Sequence, residues 1–259
     1  MANAIIVNLI EKNIIITDNL YVYDMDKEKC RLLSKRGVKV SNDSAELCCS
    51  CDIIFLAVKP QNYPEVLAEI KDSINDEKIL VSIAAGISIQ LIQSLAGKEC
   101  KVVRTMPNTP LLLGCGATAM CKSENVTDSE FETIKGYFDA SGITEMIPEE
   151  RMNEIISVNG SSPAYIYLFA KAVADYAENN GIDRSAAIRL FAKTLEGSAR
   201  MITESEKSLD ELITMVCSPG GTTLKAVETF KKRSFEETVA AAMEACTKRA
   251  EELSAVNTP

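Results

Sequence analysis

The stretch that decides the fold is Asp52-Ile53-Ile54-Phe55-Leu56-Ala57-Val58-Lys59-Pro60. Its apolar residues run without interruption for the length of a strand, and polar side chains do not alternate with them. Such a run is typical of a strand buried on both faces, as strands are in a parallel sheet. Lys59 and Pro60 close the run, so we expect the strand to reach the edge of the sheet there.

Short apolar strands alternate with helical patterns on both sides of this stretch. Further strands are predicted at residues 20–23, 38–40, 79–83, 101–104 and 144–147, and helices at residues 1–12, 26–35, 63–74, 88–95 and 127–140. This alternation predicts a doubly wound α/β sheet, in which ligands bind at the carboxyl ends of the strands.

No strand pattern recurs after about residue 148. Helical patterns cover residues 163–179, 184–203 and 209–216, and a last amphipathic helix carries one apolar stripe through Phe235, Val239, Ala242, Cys246 and Leu253. The helix at residues 163–179 is apolar almost all the way round, which favours burial between subunits. We therefore predict a nucleotide-binding domain at residues 1–148 and an all-helical domain at residues 149–259.

The composition argues against nucleic acid and against an anionic membrane as partners. Lys and Arg number 28 against 37 Asp and Glu, the net charge is -9, and no basic block stands out. The longest uncharged run, residues 155–170, is broken by Asn159, Gly160 and Pro163 and is too short to cross a bilayer. Nine cysteines, an odd number, and the lack of a signal-peptide pattern predict a reduced, cytoplasmic protein.

The chain offers little for metal binding or for histidine chemistry. Cys48, Cys49 and Cys51 lie close together, but there is no histidine and no second cysteine pair with metal-binding spacing. We interpret them as small residues just before a strand and predict no metal site. Because histidine is absent, any proton transfer must use hydroxyls, carboxylates, Lys, Tyr, Cys, water or the substrate.

A second motif, Cys217-Ser218-Pro219-Gly220-Gly221-Thr222-Thr223, lies between two helical patterns. Pro and the Gly pair predict a tight turn that leads into a helix N-terminus. Free backbone N–H groups and the positive end of the helix dipole would hold a small carboxylate or phosphate there. An ordinary capped loop between helices would have the same pattern, and the motif alone does not separate the two.

The sequence resembles the pyrroline-5-carboxylate reductase family along essentially its whole length. The segments that carry the resemblance occur in the family's order: Ile54-Phe55-Leu56-Ala57-Val58-Lys59-Pro60, Ser82-Ile83-Ala84-Ala85-Gly86-Ile87, Arg104-Thr105-Met106-Pro107-Asn108-Thr109-Pro110, Gly160-Ser161-Ser162-Pro163-Ala164-Tyr165 and Ser218-Pro219-Gly220-Gly221-Thr222-Thr223. The resemblance implies a Rossmann-like domain and a helical domain that interlocks with a second subunit, with further assembly of the dimers. It also implies hydride transfer from NADPH or NADH to 1-pyrroline-5-carboxylate, which yields L-proline.

The resemblance further implies a substrate site around the turn. Backbone N–H groups of Gly221, Thr222 and Thr223, with Ser218, would hold the substrate carboxylate, and the Thr223 hydroxyl would bond the ring nitrogen as the catalytic group. Glu149 matches a family position near the nicotinamide and the substrate, although a solvated charge is an equal alternative, and Glu206 is a weaker candidate of the same kind.

For the coenzyme, the resemblance implies contacts from two loops and from Asn108 near the nicotinamide. The loop residues are Ala57, Val58, Lys59, Pro60, Ala84 and Ala85. Lys59 has the alternative of a surface charge that ends a strand. Ser44 replaces a frequent Asn near the adenosine side, and Asp24 ends a strand where an acid bonds the ribose 2′-OH of NAD. Lys27 and Lys29 lie nearby and leave the choice between NADH and NADPH open.

The chain departs from the family pattern at its start. Members open with a strand and a glycine-rich turn that ends in Gly-Asn-Met, and Met1-Ala2-Asn3 matches what begins at that Met. We expect a slot in the sheet where this strand belongs. Either the native start lies about a dozen residues upstream, which we favour, or the protein is truncated. Cys115 and Asn159 replace the usual Glu and Ser. A catalytically silent dimeric module and a reductase of another imine or keto acid are the alternative functions.

Overall fold

The structure is a computed structural model that describes the backbone of residues 1–256 and the side chains of residues 1–254. Helices in its first part are α1 (Ala2–Glu11), α2 (Lys27–Ser34), α3 (Ser44–Ser50), α4 (Tyr63–Ile70), α5 (Ile89–Ala96) and α6 (Asp128–Asp139). The strands are β1 (Tyr21–Val22), β2 (Lys39–Val40), β3 (Ile53–Leu56), β4 (Ile79–Ser82), β5 (Lys101–Met106), β6 (Gly116–Lys122) and β7 (Gly142–Met146). The later helices are α7 (Ser162–Asn179), α8 (Arg184–Glu204), α9 (Leu209–Val216), α10 (Thr222–Lys232) and α11 (Phe235–Val256).

The main sheet has the order β3-β4-β5-β6-β7. Strands β3, β4 and β5 are parallel, β6 is antiparallel to β5, and β7 is parallel to β6. All four residues of the central strand β4 are buried. The apolar run that contains β3 was predicted to be buried on both faces, but Ile53 and Phe55 are only half-buried, because β3 is the outer strand of the described main sheet. The predicted Rossmann-like sheet is confirmed, but its last two strands run opposite to the first three.

The two faces of the sheet carry separate apolar clusters, each covered by helices. Leu80 and Val102 pack with Tyr63 of α4 and Ile92 of α5 on one face. On the other face, Val81 and Val103 pack in a cluster with Leu9, Phe131, Ile134 and Phe138 from α1 and α6. Successive strand residues thus alternate between the clusters, because side chains along a strand point to opposite faces. Each fully buried side chain of this size contributes roughly 1.5–3 kcal/mol.

Strands β1 and β2 form a small parallel sheet of their own. Within the described residues, neither pairs with β3, so the hydrogen-bonded ladder is interrupted between the β1–β2 pair and the main sheet. This interruption is the slot that the resemblance predicts. The carboxyl end of β1 nevertheless leads directly into the segment that carries Asp24.

The contacts divide the chain into two compact units whose bounds differ from the predicted domains. The first unit comprises residues 1–161 together with the chain from Ala245 onward, and the second comprises Ser162–Glu244. The 3-10 turn Glu149–Arg151 and the π-helical turn Ile156–Gly160, predicted to belong to the helical domain, therefore lie in the first unit. Burial of Met152 in the core cluster of that unit is the physical reason.

The second unit is all-helical and leaves many large apolar side chains exposed. Tyr167, Leu168, Tyr176 and Leu190 are each more than 60% exposed, which is unusual for a surface without a partner. The predicted burial of residues 163–179 is therefore not achieved within one chain. The described residues contain no helix that combines the length and the apolar character needed to cross a bilayer.

The C-terminal part of α11 packs against the loop after β4. Ala250 is buried, and an added Cβ at Gly86 would lie 3.1 Å from the Ala250 carbonyl oxygen and 3.3 Å from Ser254 Oγ. Gly86 also has a φ of +75°, which a side chain disfavours. The absence of a side chain at this position thus allows the helix to lie close to the loop.

Replacing Gly86 by alanine is expected to lower the free energy of unfolding by about 1–3 kcal/mol, through backbone strain and the contact with α11. Chemical denaturation measures the change. The matched control is Gly136→Ala, at an exposed helical position with no atom within 4 Å of an added Cβ, which should stabilise the protein by about 0.5–1 kcal/mol. A Gly86→Ala protein as stable as the wild type would contradict the close packing.

Candidate active site

The predicted coenzyme residues of the two loops and Asn108 lie at one edge of the main sheet. Residues 57–60 follow β3, Ala84 and Ala85 follow β4, and Asn108 follows β5. Because these strands are parallel and adjacent, their carboxyl ends meet at the same edge. Ala57 and Lys59 are exposed, Val58, Pro60 and Ala85 are half-buried, and Ala84 is buried. Three of these residues, Ala57, Ala84 and Ala85, carry only a methyl side chain, which suits close approach of a flat ligand to the backbone.

Tyr63 holds the carboxyl ends of β3 and β4 together. Its hydroxyl lies 3.0 Å from the Leu56 carbonyl oxygen and 2.8 Å from Ser82 Oγ. Burial raises the pKa of Tyr63 to about 12, although the hydrogen bond with Ser82 acts in the opposite direction. The Thr105 hydroxyl donates to the Ser82 carbonyl at 3.0 Å and extends the contact to β5. Tyr63 therefore remains a neutral group that fixes the ligand edge, a role that its sequence position did not indicate.

Asn108 and Asn159 brace each other and the loop after β5. Asn108 Nδ2 donates to the Asn159 carbonyl at 3.2 Å, and its Oδ1 accepts from the Ala117 N–H at 3.0 Å. The Asn159 amide donates to the carbonyls of Met106 at 2.8 Å and Ala117 at 3.0 Å. Ser would be too short to make both contacts, so Asn159 is a structural replacement. Asn108, which was predicted to lie near the nicotinamide, thus also braces the loop after β5.

Glu149 is engaged with groups of the first unit. Its Oε1 accepts from the Ile89 N–H at the start of α5 at 2.7 Å and lies 3.6 Å from Arg104 Nη1. The Arg104 side chain is only 5% exposed and also donates to Asn153 Oδ1 at 2.8 Å. Burial lowers the pKa of Arg104, and the negative charge of Glu149 opposes that shift. Glu149 is therefore not a fully solvated charge, since its Oε1 is engaged while the side chain stays 35% exposed, and Glu206 is exposed.

Asp24 and Ser44 lie at the other end of the predicted nucleotide site. Asp24 Oδ1 accepts from the Asp26 N–H at 2.9 Å, and its Oδ2 lies 3.5 Å from Lys29 Nζ. Ser44 is the first residue of α3, and its hydroxyl donates to the Glu69 carboxylate. The sequence pattern does not predict helix α3, which contains Cys48 and Cys49 and directly precedes β3. Among the described residues, no cluster of potential metal ligands is present.

The turn in the second unit has the predicted form. Gly221 N–H donates to the Ser218 carbonyl at 2.9 Å, with Pro219 and Gly220 between them, and Gly220 has a φ of +72°. Pro followed by a residue with positive φ is the pattern of a type II turn. An added Cβ on Gly221 would lie 3.0 Å from the Ser218 carbonyl oxygen, so a side chain would disturb the turn.

Helix α10 begins directly after this turn, with Gly221 as its N-cap and no side-chain cap. The first N–H groups of a helix have no partner within the helix, so those of Thr222 and Thr223 are available to an anion. Thr222 is exposed and Thr223 is half-buried. Ser218, Gly221, Thr222 and Thr223 therefore come together in the second unit, while the predicted coenzyme residues and Glu149 belong to the first.

The first unit has a Rossmann-like sheet with a ligand edge, and the second is helical and carries a turn of the kind that binds anions. This combination is typical of the class of nicotinamide-dependent oxidoreductases. Comparison with known families narrows the class. Residues 149–253 match the family model for pyrroline-5-carboxylate reductase dimerisation, and residues 1–86 match that for coenzyme F420-dependent NADP oxidoreductase.

Individual relatives agree over nearly the full chain. Pyrroline-5-carboxylate reductase from Escherichia coli is 35% identical over 98% of this chain and 95% of its own length. The Methanosarcina acetivorans enzyme is 32% identical over 98% and 94%. The crystal structure of Plasmodium falciparum pyrroline carboxylate reductase with NADP bound has a TM-score of 0.90 at 32% identity, covering 97% of this chain and 94% of the other. This chain belongs to the pyrroline-5-carboxylate reductase family.

Proposed function

We propose that this protein reduces 1-pyrroline-5-carboxylate to L-proline with NADPH or NADH, the last step of proline biosynthesis. The observation that carries the proposal is the family membership over 98% of the chain at 35% identity. The intact turn at Ser218–Thr223 supports it, because the carboxylate of this substrate is the kind of anion that such a turn holds.

The coenzyme half of the proposal uses the edge of the main sheet. The residues after β3 and β4 would lie along the nucleotide, Asn108 would lie near its nicotinamide end, and Ser44 and Asp24 would meet the adenosine side. Small or exposed residues at this edge fit a flat dinucleotide. The bound coenzyme supplies the hydride. The protein holds the nicotinamide and the substrate in the orientation that allows transfer and excludes other orientations.

The substrate half uses the turn and the start of α10. Backbone N–H groups of Thr222 and Thr223, with the Ser218 hydroxyl, would hold the carboxylate. The Gly221 N–H, which the sequence placed among these donors, is instead engaged with the Ser218 carbonyl at 2.9 Å, so Gly221 would act by shaping the turn. The Thr223 hydroxyl would bond the ring nitrogen and so orient the imine. A hydride added to the carbon of a protonated C=N bond leaves the proton on nitrogen, so the product amine forms without a histidine, which this chain lacks. Glu149 contacts the Ile89 N–H and Arg104. These contacts favour a role in which Glu149 positions α5 and Arg104 over one in which it contacts the substrate directly.

A substrate panel tests this assignment against a reductase of another imine or keto acid. We expect turnover of 1-pyrroline-5-carboxylate to exceed that of a six-membered cyclic imine carboxylate and of open-chain keto acids at matched concentration. Carboxylate binding alone would not select the ring, so equal turnover across the panel would contradict the five-membered imine as the substrate.

The chain forms homo-oligomers, as the match to the dimerisation model and the exposed apolar side chains of the second unit indicate. We propose that the dimer forms through the helical unit, that dimers assemble further and that the protein works in the cytoplasm. The interface would cover large side chains on α7 and α8, including Tyr167, Leu168, Tyr176 and Leu190. The acidic balance of charge disfavours nucleic acid and anionic membranes, so we propose neither as a partner.

Replacing Leu168 by aspartate is expected to weaken the dimer more than about 100-fold. Each of two symmetric copies would lose the burial of one leucine, at about 1.5 kcal/mol or more. Light scattering after size-exclusion chromatography at decreasing concentration measures the dissociation. Lys171→Ala on the same helix, at an exposed position, is the control and should leave the dimer intact. An unchanged Leu168→Asp dimer would place the interface elsewhere.

A further inference from the structure

We infer that Asp24 makes this reductase prefer NADH to NADPH. The inference rests on the proposed function in one respect, namely that the sheet edge binds a nicotinamide dinucleotide. It goes beyond that function because the relatives do not imply it: the Plasmodium falciparum structure has NADP bound, and the model matched by residues 1–86 is that of an NADP oxidoreductase.

Asp24 has the right place in the fold for contact with the adenosine ribose. Strand β1 is parallel to β2, and Asp24 lies two residues beyond the end of β1, at its carboxyl end. In dinucleotide-binding sheets an acid after the strand that follows the first helix accepts hydrogen bonds from the ribose hydroxyls of NAD. Strand β1 is the strand that follows α1. The 2′-phosphate of NADP would place a second negative charge against the same carboxylate.

The carboxylate is held in one orientation while leaving an oxygen accessible. Its Oδ1 accepts from the Asp26 N–H at 2.9 Å, which fixes the plane of the group. Its Oδ2 has only a long contact, 3.5 Å, with Lys29 Nζ, and the side chain is 40% exposed. An oriented, accessible acceptor suits a neutral hydroxyl and disfavours a phosphate.

The basic residues of the same segment are already paired. Lys27 Nζ lies 5.0 Å over the Tyr23 ring, and Lys29 Nζ lies between the carboxylates of Asp24 and Asp26, at 3.5 and 3.7 Å. Arg31 forms a bidentate contact with Glu28 at 2.6 and 2.7 Å. A phosphate would therefore have to compete with the Tyr23 ring for Lys27, and with an existing carboxylate for Lys29 or Arg31.

The start of α3 adds further negative charge. Asp43 caps this helix by accepting from the Glu46 N–H at 2.7 Å, and Ser44 donates its hydroxyl to Glu69. The Ser44 hydroxyl, predicted to lie on the adenosine side, thus already has a carboxylate as its partner. Arg31 and Ser44 are thus already engaged with carboxylates, whereas a 2′-phosphate requires free arginine or serine donors.

Steady-state kinetics with each coenzyme, at saturating 1-pyrroline-5-carboxylate, test the inference. We expect kcat/KM for NADH to exceed that for NADPH about 10-fold or more, because like charges in contact are strongly unfavourable. Asp24→Ser should raise kcat/KM for NADPH and lower it for NADH, so that the ratio falls about 10-fold or more. Wild-type preference for NADPH, equal use of both, or an unchanged ratio in Asp24→Ser would overturn the inference.

Asp26→Asn is the matched control, because it removes an equal charge two residues away and keeps both a capping side chain and the backbone N–H that orients Asp24. It should change the NADH to NADPH ratio less than about threefold. Fluorescence titration of each protein with NADH and with NADPH separates this inference from the proposed function. If the protein does not turn over substrate but binds NADH more tightly than NADPH, the proposed function is contradicted and the inference is supported. If it binds NADPH more tightly than NADH, only the inference is overturned.

Discussion

Replacing Thr223 by alanine is expected to lower kcat for 1-pyrroline-5-carboxylate reduction about 10- to 100-fold. Thr223 lies in the first turn of α10 and is half-buried beside the Ser218–Gly221 turn. If its hydroxyl bonds the ring nitrogen, the variant loses a hydrogen bond to a group that is charged before hydride transfer. Such a bond contributes about 1.5–3 kcal/mol, and the loss falls on the reacting geometry.

The measurement is kcat with coenzyme binding determined separately on the same preparation. Thr229→Ala is the control: Thr229 is on the same helix, donates to the Lys225 carbonyl at 2.8 Å and is exposed, so its kcat should match the wild type. Thr223→Ser should recover much of the lost rate because it restores the hydroxyl. Unchanged kcat in Thr223→Ala would remove this hydroxyl from the mechanism.

Replacing Glu149 by alanine is expected to lower the free energy of unfolding by about 1–3 kcal/mol. The change leaves the Ile89 N–H without its acceptor and the buried Arg104 without its opposing charge. Glu149 is 35% exposed, so solvent screening keeps the loss below that of a fully buried pair. Chemical denaturation of the wild type and the variant measures it.

Two further variants separate the positioning role of Glu149 from substrate contact. Glu150→Ala, an exposed neighbour, should change stability by less than about 0.5 kcal/mol. Glu149→Gln should recover part of the loss because its amide oxygen still accepts from Ile89. A Glu149→Ala protein of wild-type stability but with a greatly raised KM for 1-pyrroline-5-carboxylate would show that the carboxylate meets the substrate instead.

Local signals in the sequence predicted most helices and strands well. The apolar run at residues 52–58 contains β3, and the predicted bounds of α9 match the structure. Thr127 and Glu130 form the predicted capping box at the start of α6. Each of these signals acts within a few residues of the element that it defines, so one chain is enough to recognise it.

Two elements were missed because their signals are weak or depend on distant partners. Helix α3 has only seven residues, of which three are Ser or Ala and two are Cys, so its apolar pattern is weak. Asp43 and Glu46 do form a helix-start signal, since the Asp43 side chain accepts from the Glu46 N–H. Strand β6 reads Gly-Ala-Thr-Ala-Met-Cys-Lys and has few branched side chains. Its direction, antiparallel to β5, follows from the path of the chain through the preceding loop and not from its own composition.

The site was predictable at the level of the ligand edge and the turn, but not at the level of side-chain partners. Parallel strands place their following loops together, so the strand pattern predicted that the residues after β3, β4 and β5 share one edge, and the resemblance assigned them to the coenzyme. Glu149 is 45 residues from Arg104 and 60 residues from Ile89 along the chain. Asn108 is 51 residues from Asn159. No local pattern reports contacts of that separation.

The catalytically silent module that the sequence left as an alternative makes a distinct prediction. Such a protein would form a stable dimer whose melting temperature does not rise with NADH or NADPH. Binding of coenzyme to the folded state alone must raise that temperature. At a coenzyme concentration 100 times the dissociation constant, binding adds about 2.7 kcal/mol to the free energy of unfolding. The thermal shift with each coenzyme therefore separates a binding protein from a silent one before any turnover is measured.

The most direct test of the central claim follows the oxidation of NADH and of NADPH by the purified oligomer with 1-pyrroline-5-carboxylate and quantifies L-proline in the same reaction. Our account predicts oxidation that depends on this substrate, with one L-proline formed for each coenzyme oxidised. A folded oligomer that binds coenzyme, yet neither oxidises it with this substrate nor forms L-proline, would contradict it.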